Sequence, residues 1–131
     1  MREIKYRAWN KEWKMLLPVD SIIFENGLAV EVRVTIKASD YDHQDEWQDY
    51  RIGDEIILQQ YTELKDKNGK EIYEGDIVTS VKFKDGSNYN EVNLHIYYED
   101  AHFGVGMAYL SNVKELKVIG NIYENKDLLK N

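Results

Sequence analysis

Apolar and polar positions alternate with period two along most of the chain, and no stretch carries the i, i+3, i+4 spacing of a long amphipathic helix. Ile4, Tyr6 and Ala8 alternate with Lys5 and Arg7, as in a half-buried strand, and Asn10-Lys11-Glu12 suits a turn. In FENGLAVEVRVTI, Asn26-Gly27 supplies the two residues that accept positive φ in a type I′ hairpin turn. After it, Leu28, Val30, Val32, Val34 and Ile36 share one face, while Ala29, Glu31, Arg33 and Thr35 share the other. Residues 38–54 have no clean period and are strongly acidic, so they read as an exposed loop with one helical turn near Trp47.

The second half opens on the apolar run Ile56-Ile57-Leu58 and reaches a polar turn at Asp66-Lys67-Asn68-Gly69-Lys70, a second favourable Asn-Gly site. Ile77, Thr79, Val81 and Phe83 then alternate with Val78, Ser80 and Lys82, and Asp85-Gly86-Ser87-Asn88 makes the next turn. Val92, Leu94, Ile96 and Tyr98 predict another strand, followed by a Gly-containing one from Phe103 to Leu110 and a last one from Leu116 to Tyr123. Gly104, Gly106 and Gly120 sit where a small curved sheet needs bends or bulges, and the tail from Asn125 suits a short helix capped by that residue. The expected fold class is all-β, a small curved β-barrel architecture over a single domain, 1–131. An N-terminal β subdomain at 1–60 precedes an SH3-like C-terminal barrel at 61–131.

Composition narrows the chemistry. Hydrophobic residues make up 43% and charged residues 31%, enough to build a core and unlike a disordered chain. The chain contains no cysteine, which excludes disulfides, thiolate zinc sites and a thiol nucleophile. Charges recur through the first residues and no apolar run is long enough to span a bilayer, so a cytoplasmic location without membrane contact is expected. The net charge of −7 disfavours a general electrostatic grip on nucleic acid. It is uneven: residues 1–14 sum to +3, five basic against two acidic, and residues 40–55 sum to −6, seven acidic against one basic. Such segments are ordinarily solvated faces; alternatively the two attract each other between subunits.

No catalytic constellation is recognisable. His95 falls on the polar side of its strand, and His95 and His102, with Glu99 and Asp100 between them, would form a metal site only if the turn brought them together. His43 lies in the acidic loop. Gly104-Val105-Gly106 lacks the helix and lysine of a phosphate loop. The expectation is therefore a non-enzyme with no cofactor and no metal. Ten tyrosines and three tryptophans are many for this length; in small barrels aromatics mostly fill the core or pair across strands, but they also anchor partners. Trp9 and Trp13 at the basic end, with Asp42, Glu46 and Trp47 in the acidic loop, are the candidate partner contacts.

Three blocks, MREIKYRAWNKEWKM at 1–15, YTELKDKNGKEIYEGDIV at 61–78 and VIGNIYENKDLL at 118–129, resemble the YopX family of small proteins encoded by prophages and bacteriophages of Gram-positive bacteria. The resemblance implies an all-β fold with an SH3-like C-terminal barrel and a homo-oligomer, and it implies no activity. The motif residues Tyr61, Asp66, Asn68, Gly69, Tyr73, Gly75, Asp76, Gly120, Asn121 and Tyr123 are expected to be structural, with Gly75 allowing a bend and Asp76 capping exposed amides. Asn10 stands where the family pattern usually has aspartate, and Glu63 where it usually has glycine, which argues against a left-handed turn at 63. The expected role is a phage- or prophage-encoded protein-interaction or self-assembly module with a host or phage protein as partner. The alternative is a nucleic-acid-related role, through single-strand binding or acidic mimicry of DNA.

Overall fold

The computed structural model describes residues 2–36, 46–89 and 92–130. The chain is all-β, built of small curled sheets, and divides into two compact units: Lys5–Gln59, and a second made of residues 60–130 together with 2–4.

In the first unit, β1 (Tyr6–Asn10) pairs antiparallel with β2 (Met15–Pro18). The intervening turn is held by the Asn10 side chain, whose Oδ1 accepts the Glu12 and Trp13 N–H groups at 3.0 and 2.8 Å, so the amide serves where the family pattern has a carboxylate. β3 (Ser21–Glu25) and β4 (Leu28–Ile36) form the expected hairpin, with Asn26 at φ 51° and Gly27 at φ 82°, both in the left-handed region that a type I′ turn requires. A register shift between Ile23 and Phe24 disturbs the pattern near the tip, and Phe24 and Leu28 stand exposed there.

The helical turn expected near Trp47 is absent. Glu46–Arg51 is instead strand β5, paired along its length with β4 from Glu31↔Arg51 to Ile36↔Glu46. The period was hidden because only Tyr50 in this segment turns an apolar side chain into the core. The outer face is held by charge: Arg33 reaches both carboxylate oxygens of Asp49, Nε at 2.8 Å and Nη2 at 3.1 Å. Residues 37–45, including Asp42 and His43, lie outside the described residues. The core is Ala8, Val32, Val34, Tyr50 and Ile56, with Leu17, Ile22 and Leu58 against it.

β6 (Ile56–Lys65) carries the chain out of this unit and pairs with β7 (Glu71–Tyr73) in the second, Tyr61 opposite Tyr73. There a curled sheet has the order β12-β11-β10-β8-β13, formed by β8 (Asp76–Phe83), β10 (Leu94–Glu99), β11 (His102–Val105), β12 (Ala108–Tyr109) and β13 (Val113–Asn121). The two-residue β9 (Asn88–Tyr89) pairs with the end of β8. Its core is Ile72, Val78, Val81, Ile96, Val105, Leu110, Leu116 and Val118.

The expected strict alternation in β8 fails. Ile77, Val78 and Val81 are all fully buried, because β8 and β13 change register three times and Ser80 takes φ 54°. Each bulge bends the pair and reverses which residues face inward. The terminal helix is one 3₁₀ turn, Lys126–Leu129, and Asn125 does not cap it: its Oδ1 accepts the Asn121 N–H at 3.2 Å instead. The Cβ of any residue larger than glycine at 120 would fall 2.5 Å from that oxygen, so Gly120 admits the closure.

The motif residues are the joints of the second unit. Asp66 is buried; its Oδ1 accepts Asn68 and Lys70 N–H at 2.8 and 2.9 Å, and its Oδ2 accepts Val118 N–H at 3.0 Å. One carboxylate thus shapes the 66–70 turn and ties it to β13. Gly69 takes φ 84° in that turn. Asp76 Oδ2 accepts the Tyr73 N–H at 2.8 Å across the bend at Gly75, and Asn121 Oδ1 accepts Tyr123 and Glu124 N–H at 2.9 and 3.0 Å. Glu63 adopts φ 70° despite not being glycine, so the left-handed conformation is present there after all, as an irregularity within β6 where its register against β7 shifts. Its side chain takes the Arg2 guanidinium at 3.0 Å, on a surface where such a pair adds little.

Candidate interaction surface

Of the sequence candidates, Trp9 is buried in β1 and presents no surface to a partner. Trp13 is exposed at the turn after β1, its ring meeting Tyr50 edge to face at a centroid separation of 6.3 Å. Trp47 is exposed on β5 with the Arg33 guanidinium 5.4 Å from its ring centroid, and Glu46 begins the same strand. Part of the acidic segment is satisfied within its own sheet: Asp49 by Arg33, which holds its carboxyl below the ordinary value, and Asp54 by Arg51 at 3.7 Å. Asp42 lies outside the described residues.

A more concentrated feature lies in the second unit. Ile96 of β10 points into the core, so His95, Tyr97 and Glu99 face outward. Across the ladder Tyr97 stands opposite Gly104, and Glu99 opposite His102. A Cβ at Gly104 would lie 2.3 Å from the Tyr97 ring; its absence lets that ring lie across β11, where Tyr97 Oη donates to the Gly106 carbonyl at 2.7 Å. His95 and His102 flank this ring at centroid separations of 5.9 and 6.4 Å, and His102 meets Tyr109 of β12 edge to face at 4.3 Å. Four rings therefore form a continuous row over three strands.

The row borders an open groove lined by His95, Tyr97, Tyr98, Glu99 and Gly106. Met107, 98% exposed, stands in the turn beside it. The β10–β11 hairpin tip is acidic: Glu99 and Asp100 have no basic partner among the described residues, and Asp100 and Ala101 take φ 51° and 62° in the tight turn. Beyond Met107 a second cavity of about 430 Å³ is lined by Phe83, Lys84, Asp85, Ser87, Tyr89 and Met107.

The two histidines weighed as metal ligands are thus on one face, but with the Tyr97 ring between them. Among the described residues no group of three or more His, Asp or Glu side chains is arranged to hold a metal ion. The row was not singled out from the sequence. The available signal was the pair His95 and Tyr97, two positions apart on the polar side of a strand, followed by a glycine able to take a ring across the ladder.

The family described as YopX protein matches residues 5–130. Over 98% of this chain and 99% of the other, the fold is similar to the crystal structure of protein EF1440 from Enterococcus faecalis, with a TM-score of 0.68 at 25% identity. No curated protein matches the chain.

Proposed function

The chain belongs to the YopX family, and on that premise we propose that it works as a non-catalytic protein-interaction module, joining either a second copy of itself or a foreign protein. The observation that carries this is the outward row His95, Tyr97, His102 and Tyr109 with the exposed Met107 at its edge. Rings with two χ angles lose little entropy when a partner covers them, and methionine adapts to the surface it meets. The setting we propose is the cytoplasm of a bacterial host of a phage or prophage. No helix among the described residues is long and apolar enough to cross a membrane.

The test is a photo-crosslinking side chain placed at Met107, with the same group at Phe24 on the other unit as control. In bacterial extract the probe at 107 is expected to yield a discrete adduct, with a second copy or with another protein, that disappears in Tyr109→Ala. Adducts only at position 24, or adducts at 107 indifferent to Tyr109→Ala, would sink the proposal.

A further inference from the structure

Resting on that reading of the face, we infer that the aromatic row takes the cationic side chains of a basic peptide segment, arginine above all. The faces of the Tyr97 and Tyr109 rings carry negative electrostatic potential and attract guanidinium and ammonium groups, while neutral imidazoles beside them add flat stacking surface. Here they adjoin Glu99 and Asp100, two carboxylates with no basic partner among the described residues, at the tip of the hairpin that bears three of the four rings. The groove along the row is lined by His95, Tyr97, Tyr98, Glu99 and Gly106, without a lysine or arginine. Stacking platforms for single-stranded nucleic acid set their rings in a basic groove that tracks the phosphates; this one has an acidic rim, which repels them. The net charge of −7 acts at longer range in the same sense, drawing basic segments in and phosphates away. The molecule already uses the interaction once, where Arg33 lies over Trp47 beside its carboxylate partner Asp49.

Arginine is favoured over lysine because its planar guanidinium stacks on a ring while its edge donates to a carboxylate. The row offers the two together, rings on β10 to β12 and carboxylates at the hairpin end.

The experiment titrates the whole chain with a short peptide of alternating glycine and arginine, following the ring proton signals of His95, Tyr97, His102 and Tyr109 by NMR. The same peptide with citrulline in place of arginine, oligo-deoxythymidine and a neutral oligosaccharide are run beside it. The arginine peptide is expected to shift these four residues, to bind about tenfold more tightly than the citrulline peptide, and to weaken as salt is raised. Tyr109→Ala and the double variant Glu99→Gln with Asp100→Asn should each weaken it about tenfold; asparagine tolerates the left-handed conformation at 100, so the turn is preserved. Equal binding of arginine and citrulline peptides, shifts confined elsewhere, or preferential binding of the oligonucleotide or sugar would overturn the inference. A crosslink at 107 without arginine-peptide binding would remove the cationic partner and leave the interaction face standing; loss of both would remove both.

Discussion

At the scale of single residues, the polar groups that matter most are those that replace missing secondary structure. Asp66 is the strongest instance, since three backbone N–H groups depend on it. Burial alone pushes its carboxyl up, but the donors from Val118, Lys70 and Asn68 outweigh burial and hold it below the ordinary carboxylate value. A depressed folded value means that its stabilising contribution is complete above about pH 4, the unfolded value, and is lost as pH falls through the folded one. In Asp66→Asn one carboxylate oxygen becomes an NH₂ facing a backbone donor, so we expect a loss of about 1–3 kcal/mol at neutral pH. Urea midpoints taken from pH 7 down to pH 2 should also fall less steeply in this variant below pH 4, and an unchanged acid slope would show that Asp66 carries no linkage. Such residues are hard to read in advance. Asn-Gly at 68–69 suggested the turn, but only Gly69 is left-handed, and the group that shapes the turn is the aspartate two positions earlier.

Strands are legible where one face meets a core and the other meets water, as in the β3–β4 hairpin, and are not where that asymmetry is broken. β5 leaves no mark in local periodicity because its pairing rests on cross-strand partners such as Arg33 and Asp49. β8 was found with the wrong faces because its bulges against β13 depend on the partner strand. The aromatic row was missed for the same kind of reason, since its four rings come from three strands and meet only once the register is set. Gly104 is the element-level key to that row. In Gly104→Ala the new methyl would collide with the Tyr97 ring, and we expect a cost of about 1–3 kcal/mol together with displaced ring signals from His95 and His102. In a Tyr97→Ala background the collision is gone, so the same glycine change should cost about 1 kcal/mol less or lower still. A double-mutant cycle by urea denaturation measures this directly; additive costs would mean that Tyr97 does not lie over β11.

For the whole molecule, the division into two units predicts unequal resistance to opening. Lys5–Gln59 falls below the roughly 60 residues at which a unit becomes marginal by itself, and among the described residues its core has five buried members against eight in the second unit. The second unit is in addition fastened by carboxylate and amide joints at Asp66, Asp76 and Asn121. In the first, the Asn10 side chain makes one such joint at the β1–β2 turn, and the exposed ion pairs Arg33–Asp49 and Arg51–Asp54 add less. Each buried aliphatic side chain is worth about 1.5–3 kcal/mol, so we expect the amides of β4 to open at a free energy lower by about 2 kcal/mol or more than those of β8. Both are central strands with a partner on either side, which makes the comparison one of unit stability rather than of edge fraying. Native-state hydrogen exchange at low denaturant reads both sets in one sample. Separate exchange isotherms with β4 the weaker would mark the first unit as the part that yields first, while the unit bearing the aromatic row keeps its geometry. Coincident isotherms would instead show that β6, running unbroken through both units, makes them open together, and any partner held on the row would then stabilise β4 as much as β8.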